Sequence, residues 1–162
     1  MTLLTFKRAT KILVLALLCA CSPKSGGVAG IGGSGLPSNQ LDTQIAAAIG
    51  DPTTCVLLAD RASGKVIYTY GTDFNCSRGL PACDSQTNLN AKAALQFATK
   101  PDGRFASCAS LPDGSRMVGW AEGPVQSTKR DLVYSAVMEG QRALPGHEIN
   151  ARLYDAFSKA GL

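Results

Sequence analysis

The chain has 162 residues, with 16 basic and 12 acidic side chains and a formal net charge of +4. Three of the basic residues lie within the first 20 positions, so the rest of the chain carries 13 basic against 12 acidic side chains. A nearly neutral segment has no basic field for nucleic acid, and we expect no nucleic-acid partner.

The chain begins with the pattern of an export signal. Lys7, Arg8 and Lys11 form a basic head, and an apolar run of 7 residues, 12–18, follows them. Such a run is too short to span a bilayer. It predicts a cleaved signal peptide over residues 1–20.

The end of this segment, Leu18-Cys19-Ala20-Cys21, resembles the lipobox of bacterial lipoproteins. The resemblance implies cleavage after Ala20, a diacylglycerol on Cys21, and acylation of the new N-terminus with chains such as palmitate. Ser22, where Asp would retain a lipoprotein in the inner membrane, favours the outer membrane, facing the periplasm. The alternative is an ordinary signal peptide with a chance cysteine.

A glycine-rich segment separates this anchor from the foldable part of the chain. Residues 22–40 contain six glycines and show no periodic apolar pattern. Such a segment buries too little surface to offset its ordering entropy. The sequence therefore predicts a flexible tether over residues 21–40 and a single domain over residues 41–162.

The elements predicted in this domain alternate between helices and hairpins. Periodicity and turn residues predict a helix at 41–49, strands at 55–60 and 65–70, a helix at 88–99, strands at 104–111 and 116–121, and helices at 130–144 and 147–160. Hairpins that alternate with helices are typical of the α+β class. We expect an antiparallel sheet of two hairpins with helices packed on it.

Four cysteines fall in this domain: Cys55, Cys76, Cys83 and Cys108. An even number in an oxidising compartment predicts two disulfides with three possible connectivities. The turn-rich residues 77–82 favour a local Cys76–Cys83 bond, which leaves Cys55 to pair with Cys108. Zinc is the alternative use, but the spacings give no paired C-x-x-C knuckles and His147 is the one histidine. We expect neither a metal nor a cofactor.

The order of elements over residues 41–162 resembles that of the roadblock and profilin-like group, in which helices flank a mostly antiparallel sheet. Members of that group are usually scaffolds or partner-binding modules without catalysis, and the resemblance rests on topology.

A second resemblance, over residues 56–95, is to the penicillin-recognising enzymes, the β-lactamases and D,D-peptidases. Residues 56–68 are similar to their first hairpin, and residues 80–86 lie where those enzymes carry Pro-Ala-Ser-x-x-Lys. Cys83 then replaces the nucleophilic serine and Gln86 replaces the catalytic lysine. Without that lysine no amine can activate the nucleophile, which implies an inactive site.

The remaining candidates for chemistry are few. His147 follows Pro145-Gly146 and is predicted to lie in the first turn of a surface helix; a Cys83 thiol with His147 as its base is the catalytic alternative. Trp120, Tyr68 and Tyr70 are predicted to pack on the sheet, or else to form an exposed aromatic patch for a glycan or peptide.

These observations predict a lipid-anchored envelope protein that acts as a non-catalytic binding or scaffold module, with no catalytic residues. We expect the membrane, through the anchor, and an envelope protein or the cell wall as partners. The alternative function is a degenerate or unusual serine or cysteine hydrolase related to the penicillin-recognising enzymes.

Overall fold

An antiparallel five-stranded sheet lies at the centre of the structure, a computed structural model that describes residues 35–126 and 130–162. The elements in chain order are α1 (Ser38–Ile49), β1 (Cys55–Asp60), β2 (Val66–Tyr70), α2 (Asp73–Ser77), β3 (Leu80–Pro81), β4 (Asn88–Leu89), α3 (Ala91–Ala94), a 3₁₀ turn (Leu95–Phe97), β5 (Arg104–Ala109), β6 (Met117–Pro124), β7 (Leu132–Gly140) and α4 (Gly146–Lys159). The main sheet has the order β2–β1–β7–β6–β5, and β3 and β4 form a separate two-stranded ladder. The predicted α+β class with an antiparallel sheet is confirmed.

Strand β7 corrects the predicted arrangement of the two hairpins. The segment 130–144 was predicted to be a helix, but β7 is the central strand, with Ala136 opposite Val56 of β1 and Ala121 of β6. The hairpins β1–β2 and β5–β6 therefore lie on either side of β7 rather than beside each other. A strand buried on both faces shows a continuous apolar run, which periodicity cannot distinguish from a buried helix.

The sheet is covered on both faces. Val56, Leu58 and Tyr134 point to one face, where they pack against α1 and α4. Trp120 and Val137 point to the other face, which α3 covers together with the segment that follows β2. Since side chains alternate along a strand, each strand contributes to both cores.

The N-terminus of α4 lies directly against the sheet. A Cβ atom on Gly146 would stand 2.1 Å from the carbonyl oxygen of Trp120, and one on Gly119 would stand 2.0 Å from that of Leu144. The backbone N–H of Gly146 donates to Ser107 Oγ at 2.8 Å. The two glycines thus allow the helix and the sheet to approach closely.

The first and last predicted helices are confirmed with small shifts at their ends. Helix α1 begins at Ser38, with Pro37 at its N-cap, and helix α4 ends at Lys159. Each helix buries an apolar stripe against the sheet: Leu41, Ile45 and Ile49 in α1, and Ile149, Leu153 and Phe157 in α4.

The predicted helix at 88–99 is shorter than expected: α3 and the 3₁₀ turn together cover residues 91–97. Asn88 and Leu89 pair in β4, and helical structure begins only at Ala91. The side chain of Asn90 accepts from the backbone N–H of Ala93 at 2.8 Å, so Asn90 caps the helix.

Candidate functional site

The two disulfides pair differently from the prediction. Cys55 is bonded to Cys76 and Cys83 to Cys108, with Cα–Cα distances of 5.2 and 5.4 Å. The predicted Cys76–Cys83 bond does not form, because α2 places Cys76 beside Cys55 at the start of β1, whereas Cys83 lies beside Cys108 of β5. Each bond therefore joins the connection after β2 to a different strand of the sheet.

These bonds bracket residues 76–83, which we call the strap. Between its two cysteines the strap makes three side-chain contacts with the sheet. Arg78 Nη2 donates to Glu139 Oε2 at 2.7 Å. Trp120 Nε1 donates to the carbonyl oxygen of Pro81 at 2.8 Å, and Arg104 donates to that of Ala82. The strap is thus held at five points, two of them covalent.

Cys83 has a left-handed backbone. Its φ angle is +71°, which a residue with a Cβ adopts at a cost of about 1–2 kcal/mol. The bond to Cys108 and the contact at Ala82 hold it there. The strap therefore ends in a turn that tertiary contacts maintain.

A cleft of about 450 Å³ lies between the strap and the hairpin turn after β5. Its wall is formed by Arg78, Leu80, Ser110, Leu111, Arg116 and Glu139, together with neighbouring residues of β3 and β4. We call it the Glu139 cleft. It opens to solvent at the edge of the face that carries Trp120.

Glu139 is the hydrogen-bond acceptor at the centre of this cleft. Arg116 donates to it through Nε and Nη2, Arg78 through Nη2, and Ser110 through Oγ, each at 2.7 Å. The bonds from Arg116, then those from Ser110 and Arg78, lower the pKa of Glu139 to about 2 despite its burial. The carboxylate is therefore ionised and fully engaged, and it cannot act as a free base near neutral pH.

Arg78 and Arg116 each have N–H donors that make no hydrogen bond among the described residues. The side chain of Arg78 is 27% exposed and that of Arg116 is 36% exposed. Each guanidinium has five N–H donors. Among the described residues, Arg78 uses one of them and Arg116 uses two, all on Glu139, and neither Nη1 group donates to a partner.

An apolar rim borders the cleft. Phe74 is 68% exposed, and its ring centroid lies 5.8 Å from the guanidinium carbon of Arg78. Leu111 is 42% exposed and lines the opposite wall. Aromatic side chains and arginine are enriched at the centres of binding surfaces.

A second ionic network lies at the other end of the strap. Arg104 donates to both oxygens of the fully buried Glu122, at 3.0 and 3.2 Å, and to Asp84 at 2.9 Å. Burial raises the pKa of Glu122 to about 7, although Arg104 opposes the shift. The guanidinium also lies 4.6 Å from the ring centroid of Phe97. Because Arg104 also donates to the carbonyl oxygen of Ala82, this network secures the strap to β5 and β6.

One hydroxyl of the same face has no partner. Ser135 lies opposite Glu122 in the β6–β7 ladder, and its buried Oγ makes no hydrogen bond among the described residues. Its side chain is fully buried and does not line the cleft.

The residues predicted for chemistry do not come together. Cys83 is in a disulfide, so its sulfur is not a thiol, and Gln86 is exposed. His147 is exposed in the first turn of α4, as predicted. Trp120 and Tyr68 are buried, which confirms sheet packing for both, whereas Tyr70 is half-buried.

The residues that line the cleft were missed. Glu139 was assigned to a helix, where a glutamate is unremarkable. In a strand it shares a face with Val133 and Val137, and a glutamate facing inward among valines needs a charged partner. That alternation, Val133 to Glu139 at every second position, was the available signal.

Cys21, residues 1–20 and most of the predicted tether lie outside the described residues. Within the described ranges no group of three or more histidine, cysteine, aspartate or glutamate side chains has the arrangement of a metal site. The same ranges contain no helix long and apolar enough to cross a membrane.

Comparison of the chain with protein-family models, with curated proteins and with solved structures finds no match.

Proposed function

We propose that this protein is a membrane-anchored envelope lipoprotein whose domain acts as a non-catalytic binding module, with the Glu139 cleft as its contact surface. The basic head, apolar run and lipobox-like residues that end at Cys21 support the anchor. Helices on both faces of an antiparallel sheet agree with the arrangement implied by the roadblock and profilin-like resemblance, which supports a scaffold or partner-binding role.

One observation carries the binding role. The strap fixes a cleft that presents unused arginine donors and an exposed apolar rim, while its one acidic group is already saturated by four hydrogen bonds. A surface of this kind offers recognition without a base or nucleophile. The disulfides at both ends of the strap reduce the ordering entropy that a partner would otherwise have to offset.

The hydrolase alternative needs a nucleophile at Cys83. The bond between Cys83 and Cys108 argues against it. Covalent labelling of the native protein by a β-lactam or fluorophosphonate probe would favour the hydrolase and count against the binding module.

Site-specific photocrosslinking in intact cells tests the binding role. We expect a benzophenone amino acid at position 111, on the cleft rim, to capture a partner. The matched control is position 154, where Tyr154 is 53% exposed on α4, remote from the cleft. Equal crosslinking at both positions, or none at position 111, would contradict the proposed surface.

A further inference from the structure

We propose that the Glu139 cleft binds the C-terminal carboxylate of a peptide whose last side chain is apolar. The inference rests on the proposed function and names the chemistry of the partner.

A carboxylate matches these donors. The Nη1 groups of Arg78 and Arg116 remain available beside a carboxylate, Glu139, that fixes both guanidiniums in place. Planar guanidinium groups bind carboxylates through paired, charge-assisted hydrogen bonds. Because Glu139 already orients both groups, a second carboxylate meets donors that are largely preorganised.

The apolar part of the cleft selects the neighbouring side chain. Leu80 and Leu111 line the same cavity as the arginines, and Leu111 is 42% exposed. A terminal carboxylate and its own side chain are only a few bonds apart, so both can be accommodated at once. The cleft is open to solvent, and its volume of about 450 Å³ is within the range of small-ligand sites.

The charge of the site is nearly balanced, which makes it sensitive to single substitutions. Glu139 offsets one arginine, and Asp51 lies close enough to act on the charge of Arg116. Removal of the Asp51 charge should strengthen carboxylate binding. Asp51→Asn is suited to this test because the amide keeps an oxygen for the Thr53 hydroxyl and N–H that Asp51 now accepts.

The experiment is a chemical-shift titration of the isotope-labelled full chain in detergent micelles. The probes are Gly-Gly-Leu, Gly-Gly-Leu with an amidated C-terminus, Gly-Gly-Gly, Gly-Asp-Gly amide, and inorganic phosphate. We expect Gly-Gly-Leu to bind with a dissociation constant of about 1 mM, as is common for so small a ligand, and to shift the signals of the cleft. We expect binding at least about tenfold weaker for the amidated tripeptide, because it lacks the charged acceptor.

Three variants and a control refine the result. Arg116→Lys keeps the positive charge but removes the planar donors, and it should weaken Gly-Gly-Leu by about tenfold. Leu111→Ala should weaken the binding of Gly-Gly-Leu more than that of Gly-Gly-Gly. Asp51→Asn should strengthen the binding of both peptides. Arg142→Lys, at an exposed arginine outside the cleft, should change neither.

Other outcomes would overturn the inference. Equal binding of Gly-Gly-Leu and its C-terminal amide would show that the cleft does not recognise a terminal carboxylate. Tight binding of phosphate would show that the cleft is a general anion site. Preference for Gly-Asp-Gly amide would assign it to acidic side chains. A crosslinked partner at position 111 with no affinity for Gly-Gly-Leu would leave the binding module standing and reject only the ligand class.

Discussion

Arg116, the residue before β6, forms a bidentate ion pair with Glu139 of β7, with Nε and Nη2 each 2.7 Å from a different carboxylate oxygen. The pair connects the turn after β5 to the central strand. With Arg78 it also connects the strap to that strand. The position of both walls of the cleft thus depends on one carboxylate.

The first prediction follows from the pKa of Glu139, which is lowered from 4.5 to about 2 in the folded state. An acid with a lowered pKa stabilises the fold above its unfolded value, and that stability is lost as the pH falls towards the folded value. We expect Glu139→Gln to lower the free energy of unfolding by on the order of 3 kcal/mol at neutral pH. Urea titrations at several pH values should show this difference shrinking between pH 4.5 and 2. Curves that stay parallel down to the lower pH would contradict the pKa assignment.

The second prediction compares two serines on the same face of the sheet. The buried Ser135 Oγ has no partner among the described residues, whereas Ser110 Oγ donates to Glu139 at 2.7 Å. We expect Ser135→Ala to change the free energy of unfolding by less than about 0.5 kcal/mol, and Ser110→Ala to reduce it by about 1–2 kcal/mol. Thermal and urea unfolding of both variants make the comparison. A larger loss for Ser135→Ala would indicate that its hydroxyl has a partner.

The third prediction concerns the pairing of the cysteines. Non-reducing peptide mapping should recover Cys55–Cys76 and Cys83–Cys108. The sequence separations are 21 and 25 residues, so loss of either bond should cost about 3 kcal/mol in the chain-entropy model.

A crossed double variant sharpens this test. Cys55→Ala with Cys108→Ala breaks both bonds and should destabilise more than either matched pair of substitutions. If Cys55 were bonded to Cys108, the same variant would lose only one bond and leave Cys76 paired with Cys83.

The fourth prediction concerns two glycines. A Cβ at Gly146 would stand 2.1 Å from the oxygen of Trp120, whereas one at Gly79 would make an ordinary 3.5 Å contact with Asn88. We therefore expect Gly146→Ala to destabilise by about 2 kcal/mol or more, although alanine normally favours a helix. Gly79→Ala should be neutral or slightly stabilising. Thermal unfolding followed by circular dichroism measures both effects. Equal melting temperatures for the Gly146→Ala and Gly79→Ala variants would contradict the close packing of α4.

The fifth prediction tests the anchor. We expect detergent-extracted protein to have the mass of residues 21–162 plus acyl chains. Cys21→Ala should prevent the modification and release the protein from the membrane fraction. An unmodified product in the parent, unchanged by the substitution, would contradict the lipoprotein assignment.

Helices and hairpins were predicted correctly from the sequence where residues close together in the chain determine them. The stripe of Leu41, Ile45 and Ile49 and the turns after Asp60 and Leu111 depend on neighbours a few residues away, and α1 and both hairpins were predicted. The insertion of β7 between the hairpins depends on pairing with partners far along the chain, such as Val56 with Ala136. Local periodicity carries no such information.

The cleft could not be predicted from the sequence either, because its residues are also far apart in the chain. Arg78 and Glu139 are separated by 61 positions, and their contact exists only once β7 is central and α2 is bonded to β1. Four cysteines predicted two disulfides, but their partners depend on strand order as well.

The two disulfides join the cysteines of the domain in the order in which they occur along the chain, first with second and third with fourth. If the chain is exported from its N-terminus, as we propose, then Cys55 and Cys76 cross the membrane before Cys108 does, so this consecutive pairing can follow the order in which the cysteines emerge. Each bond can form in a single oxidation during translocation. Maturation of this domain should therefore require a thiol oxidase but no disulfide isomerase.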